Sequence, residues 1–73
     1  MAALRPHEIL AAAREKLDVS QSVMAVALKV SQPTIHRWET GANSVPIADV
    51  RRVAKAYKVK PEDLIPPVEQ RAS

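Results

Sequence analysis

The chain has 73 residues, 47% hydrophobic but only 3% aromatic, with no cysteine and a formal net charge of +3. That length bounds it to one domain with a thin core of Ala, Val, Leu and Ile. The missing cysteines exclude a disulfide framework and a cysteine-based zinc site.

No apolar run approaches the ~20 residues that span a bilayer. The opening "MAALRPHEIL" meets charge too early to serve as a secretory signal. A cytoplasmic protein is therefore expected, with no membrane partner. A pI of 9.7 favours a polyanionic partner without naming one.

The spacing predicts a first helix from Pro6 to Leu17, since a proline suits a first turn whose N–H groups have no intrahelical acceptor. Ile9, Leu10, Ala13 and Leu17 recur at helical spacing and predict one buried stripe. Ser20 is a good N-cap for a second helix, with Met24, Ala27 and Leu28 on its inner face. Ser31 can cap a third helix that Gly41 closes in the left-handed conformation.

Pro46 opens a fourth helix carrying Val50, Val53, Ala54 and Tyr57 at spacings of three and four. One further turn is expected over 60–65, with Pro61 near its start, and Pro66-Pro67 stops it. The expected organisation is a domain over 1–65 and a flexible C-terminal tail over 66–73. No strand pattern is evident, so the fold class is all-α, with four to five helices.

The third helix carries the functional question. At about 100° per residue, Ile35 and Trp38 point inward, while Pro33, His36 and Arg37 lie opposite, flanked by Gln32 and Thr34. Gln can pair with adenine and Arg with guanine through two hydrogen bonds each, and a proline ring or threonine methyl can lie against thymine. Read alone, the same face is first of all an ordinary solvated surface. The short link between two short helices, the second polar on its outer side, points to a helix-turn-helix unit.

Here the sequence resembles the Cro-type helix-turn-helix domain of phage repressors and bacterial regulators. The resemblance runs from about Ile9 to Ile65. It is strongest at Ser20-Gln21, Met24-Ala25, Leu28, Val30-Ser31-Gln32, Thr34-Ile35, Arg37-Trp38-Glu39 and Gly41, and "YKVKPEDLI" continues it. It implies a compact lambda-repressor-like domain that binds two-fold operator DNA as a dimer and represses by occupying a promoter.

Carried over position by position, the resemblance implies that Gln32, Pro33, Thr34, His36 and Arg37 face the major groove, with Ser31 at the head of the helix. Gln21 would meet a phosphate at the start of the second helix, where free N–H groups point outward. Asn43 and Ser44 match positions that hold backbone phosphates. Arg14 and Glu39 match an ion pair between the first and third helices. Ala25 sits where the second and third helices cross, a point with no room for a larger side chain.

Two features depart from the family pattern. Lys29 stands where the turn commonly has Gly, so a reshaped turn is expected, or an extra cation beside the DNA. The spacing after Gly41 is closer to short prophage regulators, which weakens the match at Asn43 and Ser44. Arg51, Arg52, Lys55, Lys58 and Lys60 make the last third basic; most of them read as a solvated face partly offset by Asp49, Glu62 and Asp63, with Arg51 or Arg52 the best placed to extend a phosphate footprint. Dimer contacts are expected from Tyr57, Leu64, Ile65 and Val68, although Leu64 serves equally to close the core.

Other classes fit less well. No nucleophile–base–acid arrangement or glycine-rich phosphate loop is present, so no enzyme activity and no cofactor are expected. His36 and Glu39 stand three apart, but two ligands without a third rarely hold a metal. No small-molecule ligand is expected either. A DNA-binding antitoxin or a protein-interaction adaptor on the same fold is the alternative, distinguished by a long disordered arm, for which only 66–73 offers material.

Overall fold

The computed structural model describes residues 4–65. Four α-helices follow one another, α1 (Pro6–Leu17), α2 (Gln21–Leu28), α3 (Gln32–Thr40) and α4 (Val50–Tyr57). Single 3-10 turns at Ile47–Asp49 and Pro61–Leu64 flank α4. No strand occurs among the described residues, and the all-α expectation holds. The tail expected over 66–73 lies outside them.

Local chemistry sets the ends of the first three helices where the sequence placed them. Pro6 opens α1, and the Glu8 carboxylate reaches back to accept the Arg5 N–H at 2.8 Å. Ser20 Oγ accepts the Val23 N–H at 3.1 Å, and Ser31 Oγ accepts the Thr34 N–H at 3.3 Å. Gly41 ends α3 at φ +83°, with the His7 ring against it. A Cβ there would lie 2.9 Å from His7 Nδ1, so any side chain would force His7 aside.

The turn between α2 and α3 is not reshaped. Lys29 itself adopts the left-handed conformation at φ 58°, and Val30 N–H closes back on the Ala25 carbonyl at 3.0 Å. Lys58 does the same after α4 at φ 58°, and Asp18 after α1 at φ 59°. Each lysine carries a backbone cost of about 1–2 kcal/mol that glycine would avoid.

Eleven buried apolar residues make one core: Leu10, Met24, Ala25, Leu28, Ile35, Trp38, Val50, Val53, Ala54, Tyr57 and Leu64. Of the stripe expected on α1 only Leu10 is buried; Ala13 and Leu17 are half-buried against the core, and Ile9 is half-buried as well. On α2 the inner small residue is Ala25; Ala27 faces solvent, contrary to expectation. A fully buried Leu, Ile or Val contributes about 1.5–3 kcal/mol. So thin a core tolerates few losses.

The second half differs from expectation in two ways. Pro46 precedes a 3-10 turn rather than opening the fourth helix, which begins at Val50. The stripe of Val50, Val53, Ala54 and Tyr57 is nevertheless buried. Tyr57 and Leu64 are 1% and 5% exposed, so neither is available for the dimer contact expected of them. Ile65 remains half-buried at the surface, and Val68 lies outside the described residues.

Candidate nucleic-acid interface

The third helix is held from behind by three residues. Ile35, Trp38 and Glu39 are all buried, at 0%, 5% and 7% exposure. Their spacing of three and four places them on one side, against α1 and α2. Glu39 is the only buried charge among the described residues, and its partners explain why it is tolerated.

Both of its oxygens accept from Arg14 Nε, at 3.0 and 2.8 Å. Tyr57 Oη donates to Oε2 at 2.7 Å, and Gln21 Nε2 donates to Oε1 at 3.3 Å. The Arg14 guanidinium also donates to the Val19 carbonyl at 2.8 Å. One carboxylate thus ties α1, α2 and α4 to α3. Burial pushes its pKa up, but the bonds from Arg14, Tyr57 and Gln21 and the arginine's charge outweigh this and hold it below the usual carboxylate range. The hydrogen bond to Glu39 raises Arg14 against a smaller opposing effect of burial. Burial, then the same anion, pushes the Tyr57 hydroxyl far up.

The Arg14–Glu39 pair expected from the resemblance is therefore formed. Sequence reasoning missed Tyr57 and the inward hydrogen bond of Gln21. Neither has a periodic signal, because each joins residues 18 apart in the chain.

The outer side is different. Gln32, Pro33, His36 and Arg37 are exposed together, with Thr40 beyond them. Proline is accommodated in the first turn, where no intrahelical bond is lost. The His36 ring is exposed while Glu39 is committed inward, so the two do not converge on a metal. Ser31 and Thr34 are engaged in the cap: Thr34 is half-buried, and its hydroxyl lies 2.8 Å from Ser31 Oγ.

Gln21 connects the two sides. Glu39 is acceptor-only, so the Gln21 amide must turn its NH2 toward it and its oxygen outward. That oxygen accepts from Gln32 Nε2 at 2.7 Å. Gln32 keeps its own oxygen and its second N–H free. A glutamine reading adenine needs one acceptor and one donor. The first residue of α3 is thus oriented by the buried carboxylate through one intermediate.

Asn43 and Ser44 are exposed in the loop after α3 and line a cleft with Arg5 and His7. Asn43 N–H donates to the Arg37 carbonyl at 3.2 Å, which fixes the loop to the end of α3. Arg52 turns away from the role expected of it. It pairs with Asp49 at 3.0 Å and donates to the Leu28 carbonyl, capping α2. Arg51 stays exposed.

Two short helices joined by Lys29, Val30 and Ser31, with the second buried inside and polar outside, define a helix-turn-helix domain. A family described as a helix-turn-helix domain matches residues 8–67, and the chain belongs to it. No curated protein and no solved structure matches the chain. Membership suggests DNA as the partner, and such DNA-binding domains are typically not enzymes. No helix among the described residues is long and apolar enough to cross a membrane.

Proposed function

We propose that this chain is a sequence-specific regulator of transcription of the Cro type, binding two-fold operator DNA as a dimer and repressing by occupying the promoter. The observation that carries the reading is the division of α3 into a buried anchor and an exposed face of Gln32, Pro33, His36 and Arg37. A helix held rigidly from behind presents its polar side chains in fixed register, as base reading in the major groove requires.

In this reading Gln32 and Arg37 read base edges, and His36 and Pro33 make the remaining contacts. Thr34 and Ser31 lie at the helix tip, where their contribution is to the cap and its nearest phosphate. The start of α2 supplies unpaired backbone N–H groups beside Gln21 for a second phosphate. Asn43 and Ser44 contact the backbone on the other side and fix register without reading sequence. The protein works in the cytoplasm, on DNA. Half-sites bound by such a dimer lie ~34 Å apart, one turn of the groove.

Selection of bound DNA from random oligonucleotides tests the proposal directly. A two-fold site is the expected result. Arg37→Ala and Gln32→Ala should each relax preference at one defined position by about 1–3 kcal/mol; Gln21→Ala leaves the backbone N–H groups in place but releases Gln32, so it should relax the same position as Gln32→Ala. Equal losses across every sequence for Arg37→Ala would remove it from the reading set. Failure to enrich any sequence would end the proposal of specific binding.

A further inference from the structure

The face around the first 3-10 turn combines features that the DNA reading does not use. Ile47 is 77% exposed there, on the turn that leads into α4. A single exposed isoleucine needs no explanation. This one, however, lines a shallow groove with Val50, Pro61 and Ile65, and Arg51 and Glu62 lie on the same groove. Both charged residues are exposed. The ion pairs among the described residues are Arg14–Glu39 and Arg52–Asp49, so neither Arg51 nor Glu62 has an ion-pair partner among them.

A patch holding an apolar knob, an apolar groove, one cation and one anion is complementary to itself. A two-fold operation sets each feature against the patch of the other copy, and every contact formed once is formed twice. We infer that this face is the contact between two copies of the chain, with Ile47 of each seated on the Val50–Pro61–Ile65 groove of the other and Arg51 of each paired with the opposite Glu62. The occupant is a second copy because opposite charges on one small groove match a like patch turned through two-fold symmetry. A uniformly acidic or basic partner would meet one repulsive charge. The assignment replaces Tyr57 and Leu64, which the core consumes. It rests on the proposed two-fold operator only for its role, not for its existence.

The test uses the full chain in sedimentation equilibrium, alone and on DNA carrying one or two half-sites from the selection. Ile47→Asp adds charge at an exposed position, and its thermal unfolding verifies the fold. It should weaken self-association about tenfold or more while leaving binding to a single half-site unchanged. Cooperative filling of the two-site DNA should be lost with it. Glu62→Arg and Arg51→Glu should each weaken self-association, and the doubly reversed variant should recover it.

An association constant unmoved by Ile47→Asp would overturn the assignment, as would a wild-type chain that is monomeric both free and on two-site DNA. Failure of the double reversal to recover association would remove the Arg51–Glu62 pairing. If the wild type bound no half-site at all, the proposed function would fail while sedimentation still judged the interface. The two ideas are therefore separable.

Discussion

The two sides of α3 carry opposite chemistry within nine residues. The inner side holds an isoleucine, a tryptophan and an ionised carboxylate, each with every partner it needs. The outer side holds amide, imidazole and guanidinium groups in water, with only Gln32 tied to a neighbouring side chain. A side chain's contribution to stability depends on how much it loses on exposure, and its contribution to recognition depends on what it keeps free. Substitutions on the inner side should therefore unfold the domain, and those on the outer side should leave it folded and less able to read.

Glu39→Ala is the strongest probe of the inner side. Breaking a buried pair by removing one partner costs about 3–5 kcal/mol, because the other charge is left uncompensated. Here Arg14, at 15% side-chain exposure, and the Tyr57 hydroxyl lose their acceptor together. Urea denaturation should show most of the stability of so small a domain gone. A loss under about 1 kcal/mol would mean that α3 is held by Ile35 and Trp38 alone.

Titration removes the same interaction in part. Glu39 is held below its ordinary value of 4.5, so the stability it contributes is present above pH 4.5 and is lost as pH falls through the native value. Tyr57 is raised above its ordinary 10.0, so its contribution is present below pH 10 and declines as pH rises beyond it, where the unfolded phenol ionises first. Stability curves for the wild type and Glu39→Gln should converge in acid, and those for the wild type and Tyr57→Phe in alkali. Parallel curves across either range would remove the corresponding coupling.

Arg37→Ala probes the outer side with a smaller effect and a different readout. Its unfolding curve should overlay the wild type within about 0.5 kcal/mol, as for an exposed residue with no structural partner. Its DNA affinity should fall by about 1–3 kcal/mol on the preferred site. Destabilisation comparable to that of Glu39→Ala would erase the distinction between the two sides.

The inner side was readable from the sequence where the signal was local. Ser20, Ser31 and Gly41 mark helix ends because caps act within three or four residues, and Ile35 and Trp38 follow from helical period. The Arg14–Glu39 bridge came from resemblance, since 25 residues separate the pair. Tyr57 was misjudged as a dimer contact, and Leu64 was left between core and dimer, because an apolar stripe reads the same whether it meets the core or a second subunit. Arg52 was misjudged because a guanidinium that caps Leu28 looks in sequence like any other cation of a basic helix. Ala25 and Ala27 bear on the same problem, since two small residues two apart fit either face until the crossing partner is known.

The finest comparison is between two lysines in the same backbone conformation. Lys29 and Lys58 each end a helix at φ 58° and are exposed, so replacement of either by glycine should stabilise the fold by up to about 1 kcal/mol, the relief of strain being partly offset by glycine's greater loss of chain entropy. They differ in place: Lys29 lies in the turn that leads directly into α3, while Lys58 follows α4. If Lys29 is retained there for its charge beside the DNA, Lys29→Gly should gain stability yet lose affinity equally on all sequences, with a shallower salt dependence of binding. Lys58→Gly should gain stability with affinity unchanged. Salt titrations of both variants decide the matter, because a lost phosphate contact lowers the slope by about one whereas relief of backbone strain leaves it alone. Equal slopes in both variants would assign the Lys29 side chain no part in binding, and its left-handed strain would then have no functional return.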